Sequence, residues 1–62
     1  MMTKEAITTL REARGWSQAF LADQLGVDQG TVSKWENGKA SPSGPARKLL
    51  ERFASEVRET AA

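Results

Sequence analysis

Apolar residues recur along this chain in four blocks at helical spacing, divided by glycine and proline. In the first block Ala6, Ile7, Leu10 and Ala13 fall at i, i+1, i+4 and i+7, one face of a helix. Thr3 precedes it as an N-cap, Glu5 sits in the opening turn beside the positive end of the helix dipole, and Arg14-Gly15 closes it. A second block, Leu21, Ala22 and Leu25, is opened by the capping hydroxyl of Ser17 and stopped at Gly26, where the left-handed residue that ends many helices is cheapest as glycine. Val27 can drop into a core, and Asp28 is a further N-cap for a third helix that turns Val32 and Trp35 inward and stops at Asn37-Gly38. Ser41-Pro42-Ser43-Gly44-Pro45 is a turn cluster that no helix crosses. A fourth helix is predicted from Ser43 or Gly44, with Pro45 at a tolerated early position, and Ala46, Leu49, Leu50, Phe53, Ala54 and Val57 form its continuous apolar stripe. Residues 59–62 are expected to fray. The pattern specifies an all-α chain: a small bundle of four helices, the last one extended.

The stretch from Ser17 to Gly38 holds two of these helices, joined by so tight a glycine turn that they must cross steeply, as in a helix-turn-helix. Ser17-Gln18, Leu21-Ala22, Leu25-Gly26-Val27, the run Thr31 to Lys39 and Pro42-Ser43 resemble the phage-repressor/Cro-like (xenobiotic-response-element-like) helix-turn-helix family. The resemblance runs from about Leu10 to about Leu50 with unbroken spacing. It implies a lambda-repressor-like DNA-binding domain across residues 1–62, with its motif at about 17–36. It also implies a sequence-specific transcription regulator, a repressor, that inserts its third helix into the major groove of an operator.

Within that frame the third helix is the reader. Gln29, Gly30, Ser33 and Lys34 share the side opposite Val32 and Trp35, and the resemblance places base contacts on them. Gln29 can pair bidentately with adenine, and Lys34 can donate to guanine or to a phosphate. Gly30 costs a helix interior about 0.8–1.0 kcal/mol relative to alanine. Its glycine is read either as close backbone approach to the groove or as tolerated drift near a helix end. Phosphate contacts are expected from Gln18 at the start of the second helix, from Thr31 beside the reading face, and from Asn37, Lys39 and Ser41 in the loop that follows. Gln18 can also be a surface residue that merely caps. In similar proteins the glutamate at Glu36 pairs with an arginine on the first helix, here Arg11, and ties the two helices together.

Two departures from the family pattern stand out. Phe20 occupies a position where the family usually carries glutamate, and phenylalanine cannot complete a capping box. It either covers Trp16 and the first helix, or is exposed and awaits a partner. Trp16 itself suits a core better than a base-stacking platform. The family often adds a fifth helix for its dimer contact, whereas this chain has one long C-terminal helix. Phe53, Ala54 and Val57 on its far end are therefore candidates for a two-fold interface, the alternative being that they fold back on Ile7 and Leu10.

Composition narrows the classes. At 62 residues the chain is one domain near the lower size that folds without staples. It has no cysteine and no histidine, so disulfides are excluded and a structural zinc site lacks its usual ligands. A cytoplasmic, reducing setting fits, and MMTKEAITTL has no apolar run long enough for a signal peptide or membrane span. Net charge is only +1, yet between Thr31 and Lys48 the bases Lys34, Lys39, Arg47 and Lys48 face the single acid Glu36. No enzyme is expected, because the acids are scattered along helix faces and the chain has neither histidine nor cysteine. No cofactor is expected. The expected partners are double-stranded operator DNA, palindromic, and a second copy in a homodimer, at least on DNA. The alternative reading is an antitoxin-like interaction protein that sequesters a partner through Phe20, Phe53 and Val57, with or without autoregulation.

Overall fold

Four helices, α1 (Lys4–Ala13), α2 (Gln18–Leu25), α3 (Gln29–Glu36) and α4 (Gly44–Ala61), account for the regular structure in a computed structural model. It describes residues 2–61, with side chains from residue 2 through residue 57. The fraying expected of residues 59–62 is not seen in the backbone, where α4 continues to Ala61, and Ala62 lies outside the described residues.

Two helix starts are capped by hydroxyls. Thr3 Oγ1 accepts from the Ala6 N–H at 3.1 Å, and Ser17 Oγ accepts from the Phe20 N–H at 3.0 Å. Each bond satisfies one of the N–H groups that a helix start leaves without an internal partner. Asp28 takes the N-cap place of α3, but its carboxylate makes no capping bond. There the backbone acts alone, the Asp28 carbonyl accepting from Thr31 and Val32 at 3.0 and 3.3 Å. The turn between α2 and α3 is closed by Gly26 at φ 72°, and the Val27 N–H reaches back to the Ala22 carbonyl at 3.0 Å. That left-handed residue reverses the chain within three positions and sets the crossing of α2 and α3.

The core draws on all four helices: Ile7 and Leu10 from α1, Leu21, Ala22 and Leu25 from α2, Val32 and Trp35 from α3, and Leu50 from α4. Each large aliphatic among them contributes roughly 1.5–3 kcal/mol by leaving water. Val27, Ala46, Leu49, Phe53 and Val57 pack half-buried around this centre. Ala13, placed on the buried face of α1 by its spacing, is exposed. It is the last residue of that helix, and the core clustered around Ile7 and Leu10 does not extend so far. Pro42 is buried, pinning the α3–α4 loop against the domain. Among the described residues no helix is long and apolar enough to cross a membrane.

Candidate nucleic-acid interface

Helix α3 is held from one side only. Val32 and Trp35 are 0% and 5% exposed, and they fix the helix rotationally. That rotation leaves Gln29, Gly30 and Lys34 exposed and Ser33 half-exposed on the outer side, with Thr31 half-buried at its edge. Asn37 Nδ2 donates to Ser33 Oγ at 3.3 Å, so the outer side continues past the helix end. Beyond it the chain folds back on α3, the Lys39 and Ala40 N–H groups both donating to the Lys34 carbonyl at 2.8 and 3.3 Å. Asn37, Lys39 and Ser41 are exposed along this loop.

Behind the outer face lies a polar junction of three helices. Arg11 Nε donates to Glu36 Oε2 at 2.8 Å and Nη2 donates to Oε1 at 3.1 Å, a two-pronged pair from α1 to α3. The third arm of the guanidinium, Nη1, donates to the Trp16 carbonyl at 2.9 Å. Gln18, the first residue of α2, donates from Nε2 to Glu36 Oε1 at 3.2 Å. The side chains of Arg11 and Glu36 are 17% and 7% exposed. Burial alone would push the Glu36 carboxyl up. Hydrogen bonds from Arg11 and Gln18, the Arg11 charge and a hydrogen bond from Thr8 outweigh it and hold the group below the usual carboxylate range. The same pairing, less its own desolvation, raises Arg11 further above its already high value. An electrostatic consequence follows for the surface. The one acid between Thr31 and Lys48 is turned inward and neutralised, so the solvent side of this stretch is left to Lys34, Lys39 and Lys48, while Arg47 pairs with Glu51 at 3.1 Å. Such a face favours a polyanion.

A second junction, built around the Trp16 ring, is aromatic. Trp16 lies against Phe20 with ring centroids 5.1 Å apart and meets Phe53 edge-on at 5.5 Å. The Arg14 guanidinium stands 4.8 Å from the Trp16 ring and 5.0 Å from the Phe53 ring, and its Nη2 donates to Glu56 at 2.7 Å. Phe20 therefore covers Trp16 with one face, while 46% of its surface stays open. Phe53 packs on Trp16 and Arg14 within the same chain, and Ala54 and Val57 are half-buried beside it on α4. The partners Arg14 and Glu56 went unnoticed in the sequence. They are 42 positions apart, and no local spacing links them. Thr8 was likewise missed, because a threonine on a helix gives no signal of a carboxylate arriving from another helix.

A cleft of about 490 Å³ between the start of α1 and the α3–α4 loop is lined by Ile7, Trp35 and Pro42 together with Lys4, Glu5 and Arg47. It brings together no pair of carboxylates. Among the described residues no cluster of three or more metal-ligating side chains occurs.

The helix-turn-helix family profile matches residues 7–53. Over 55 residues, 89% of this chain and 27% of the other, the sequence is 36% identical to the HTH-type transcriptional activator BcrR of Enterococcus faecalis. A protein of Haloquadratum walsbyi described as an HTH-type transcriptional regulatory protein is 49% identical over 43 residues, 69% of this chain and 13% of that one. One of Haloarcula marismortui with the same description is 41% identical over 49 residues, 79% of this chain and 15% of its own. The chain thus spans little more than a quarter of the length of the first relative and less of the others. No solved structure matches it.

Proposed function

The chain belongs to the helix-turn-helix family, and on that premise we propose that it is a sequence-specific DNA-binding transcription regulator, a repressor, whose α3 enters the major groove. The supporting observation is the outer side of α3, polar, exposed and flanked by unneutralised lysines, on a helix whose inner side is fully engaged. An α-helix about 10–12 Å across suits a groove about 12 Å wide. In this reading Gln29 pairs with adenine, Lys34 donates to guanine, and Gly30 and Ser33 lie against neighbouring base edges. Gln18, Thr31, Asn37, Lys39 and Ser41 hold phosphates, which set the register without carrying sequence information. The Gln18 amide has a second hydrogen beyond the one given to Glu36, and Glu36 fixes the direction in which it points.

One such unit neutralises few phosphates, so alone it binds weakly. A homodimer on palindromic half-sites about 34 Å apart restores affinity, with Phe53, Ala54 and Val57 as the surface proposed for the two-fold contact. Residues 1–62 then act as one cytoplasmic DNA-binding domain without catalytic chemistry. Selection of bound sequences from a random duplex pool tests this. The expected product is a palindrome of two half-sites, and a pool that enriches for nothing overturns the reading.

The exposed part of Phe20 favours a second reading, an antitoxin-like module that docks another protein on its aromatic junction. Gel filtration together with an electrophoretic shift on the chain's own promoter separates the two. A monomer that shifts no DNA at moderate salt supports the docking module.

A further inference from the structure

Four of the chain's five glycines, Gly15, Gly26, Gly38 and Gly44, have φ between +59° and +77°, turns that an L side chain rarely enters. Gly30 is different. It is the second residue of α3, is exposed and has no positive φ, and a Cβ built on it meets nothing within 4 Å. Neither backbone conformation nor packing asks for glycine at this position. Helix propensity, which penalises glycine most in a helix interior, does not ask for it in the first turn either. The fold would therefore lose nothing with alanine here. By helical geometry Gly30 shares its side of α3 with Ser33 and Lys34, away from the buried Val32 and Trp35. No heavy atom beyond its immediate helix neighbours comes within 4 Å of where its Cβ would stand.

We infer that Gly30 is a specificity-determining gap in the reading helix, where the bare Cα rests against the C5 methyl of an operator thymine. The inference rests on the DNA-binding reading and adds what this one position recognises. Gln29 and Lys34 are long and polar, suited to bases that offer donors and acceptors. The residue without a side chain lets the helix backbone come nearest to the groove. Most features of the major-groove edge are polar, and the apolar group projecting from it is the thymine methyl. A Cα methylene offers that methyl van der Waals contact, whereas an added Cβ would occupy the methyl's place.

The test compares Gly30→Ala with the wild-type chain on the selected operator, on random duplex, and on operators in which single thymines are replaced by deoxyuridine, which lacks only the methyl. The variant is expected to melt at or above the wild-type temperature. Its operator affinity should fall about tenfold while random-duplex affinity stays unchanged, the loss of one well-fitted base contact. At one base pair in each half-site, deoxyuridine should weaken the wild type and restore binding by Gly30→Ala. Operator binding equal to wild type, the absence of any restoring position, or a lowered melting temperature would each overturn the inference. A failure of the DNA-binding reading itself shows separately, as a wild-type chain that prefers no sequence.

Discussion

Helix α3 presents two sides that differ in what determines them. On the inner side Val32 and Trp35 are enclosed by residues of the other helices, and their size and shape answer to packing. On the outer side Gln29, Gly30 and Lys34 are exposed and Ser33, half-exposed, has one hydrogen bond from Asn37, so the fold sets few conditions on their identity. The lesson is that the inner side says how the helix is held, and the outer side says what it is held for. Substitutions on the two sides should separate cleanly into losses of folding and losses of binding.

The largest effect belongs to the inner side. Trp35→Ala should cost about 3–5 kcal/mol through lost contacts and a residual cavity. A domain this small has a total stability of about 3–9 kcal/mol at 0.05–0.15 kcal/mol per residue, so the variant should lose at least about a third of it and melt far below the wild type by circular dichroism. A cooperative melt near the wild-type temperature would break the comparison.

Next comes Glu36, which sits on α3 but belongs to the junction behind it. Glu36→Ala leaves the Arg11 guanidinium poorly exposed and short of two hydrogen bonds, at a cost of about 3 kcal/mol, near the low end for breaking a buried pair. The pH dependence has a definite sign. The folded-state carboxyl is held below its unfolded value, so in the window between the two the unfolded chain binds more protons and stability rises with pH. This contribution is complete above the ordinary glutamate value of about 4.3 and is lost as the pH falls through the lower folded value. Glu36→Gln should flatten that acid limb in urea titrations at several pH values. An unchanged limb would mean that other carboxylates carry it.

The outer side should behave in the opposite way. Gln29→Ala and Lys34→Ala are expected to stay within about 0.5 kcal/mol of wild-type stability. Each should lose about 1–3 kcal/mol of discrimination between operator and random duplex, measured as the ratio of the two affinities. Equal losses on both duplexes would remove Gln29 from the base-reading set. Smallest is Lys39→Ala in the following loop, which should weaken both duplexes alike and reduce the slope of log affinity against log salt by about 1.

Much of this arrangement is legible in the sequence wherever a local signal coincides with a local structure. Thr3, Ser17 and Gly26 mark helix ends because the groups they satisfy lie within four residues of them. The periodic apolar stripes name most of the core because burial is what periodicity encodes. The stripe overreaches at Ala13, since a periodic pattern cannot tell where a finite core stops. Asp28 has the right residue type in the right place, yet its side chain bonds no N–H group of α3. Arg11 and Glu36 stand 25 residues apart and could be paired beforehand only through family resemblance. Arg14, held between two rings and bonded to Glu56, had no such guide, because only the closing of α4 over the α1–α2 corner brings those groups together. The outer side of α3 was legible for the opposite reason. Once packing accounts for Val32 and Trp35, the residues left over are those that packing does not need.

The most direct test of the central claim is a titration of isotope-labelled protein with the selected operator, followed through backbone amide resonances. The largest shifts are predicted at Gln29, Gly30, Ser33 and Lys34, with further shifts at Gln18 and through the Asn37–Ser41 loop. Shifts confined to Trp16, Phe20 and Phe53, with the outer side of α3 unmoved at saturation, would contradict it.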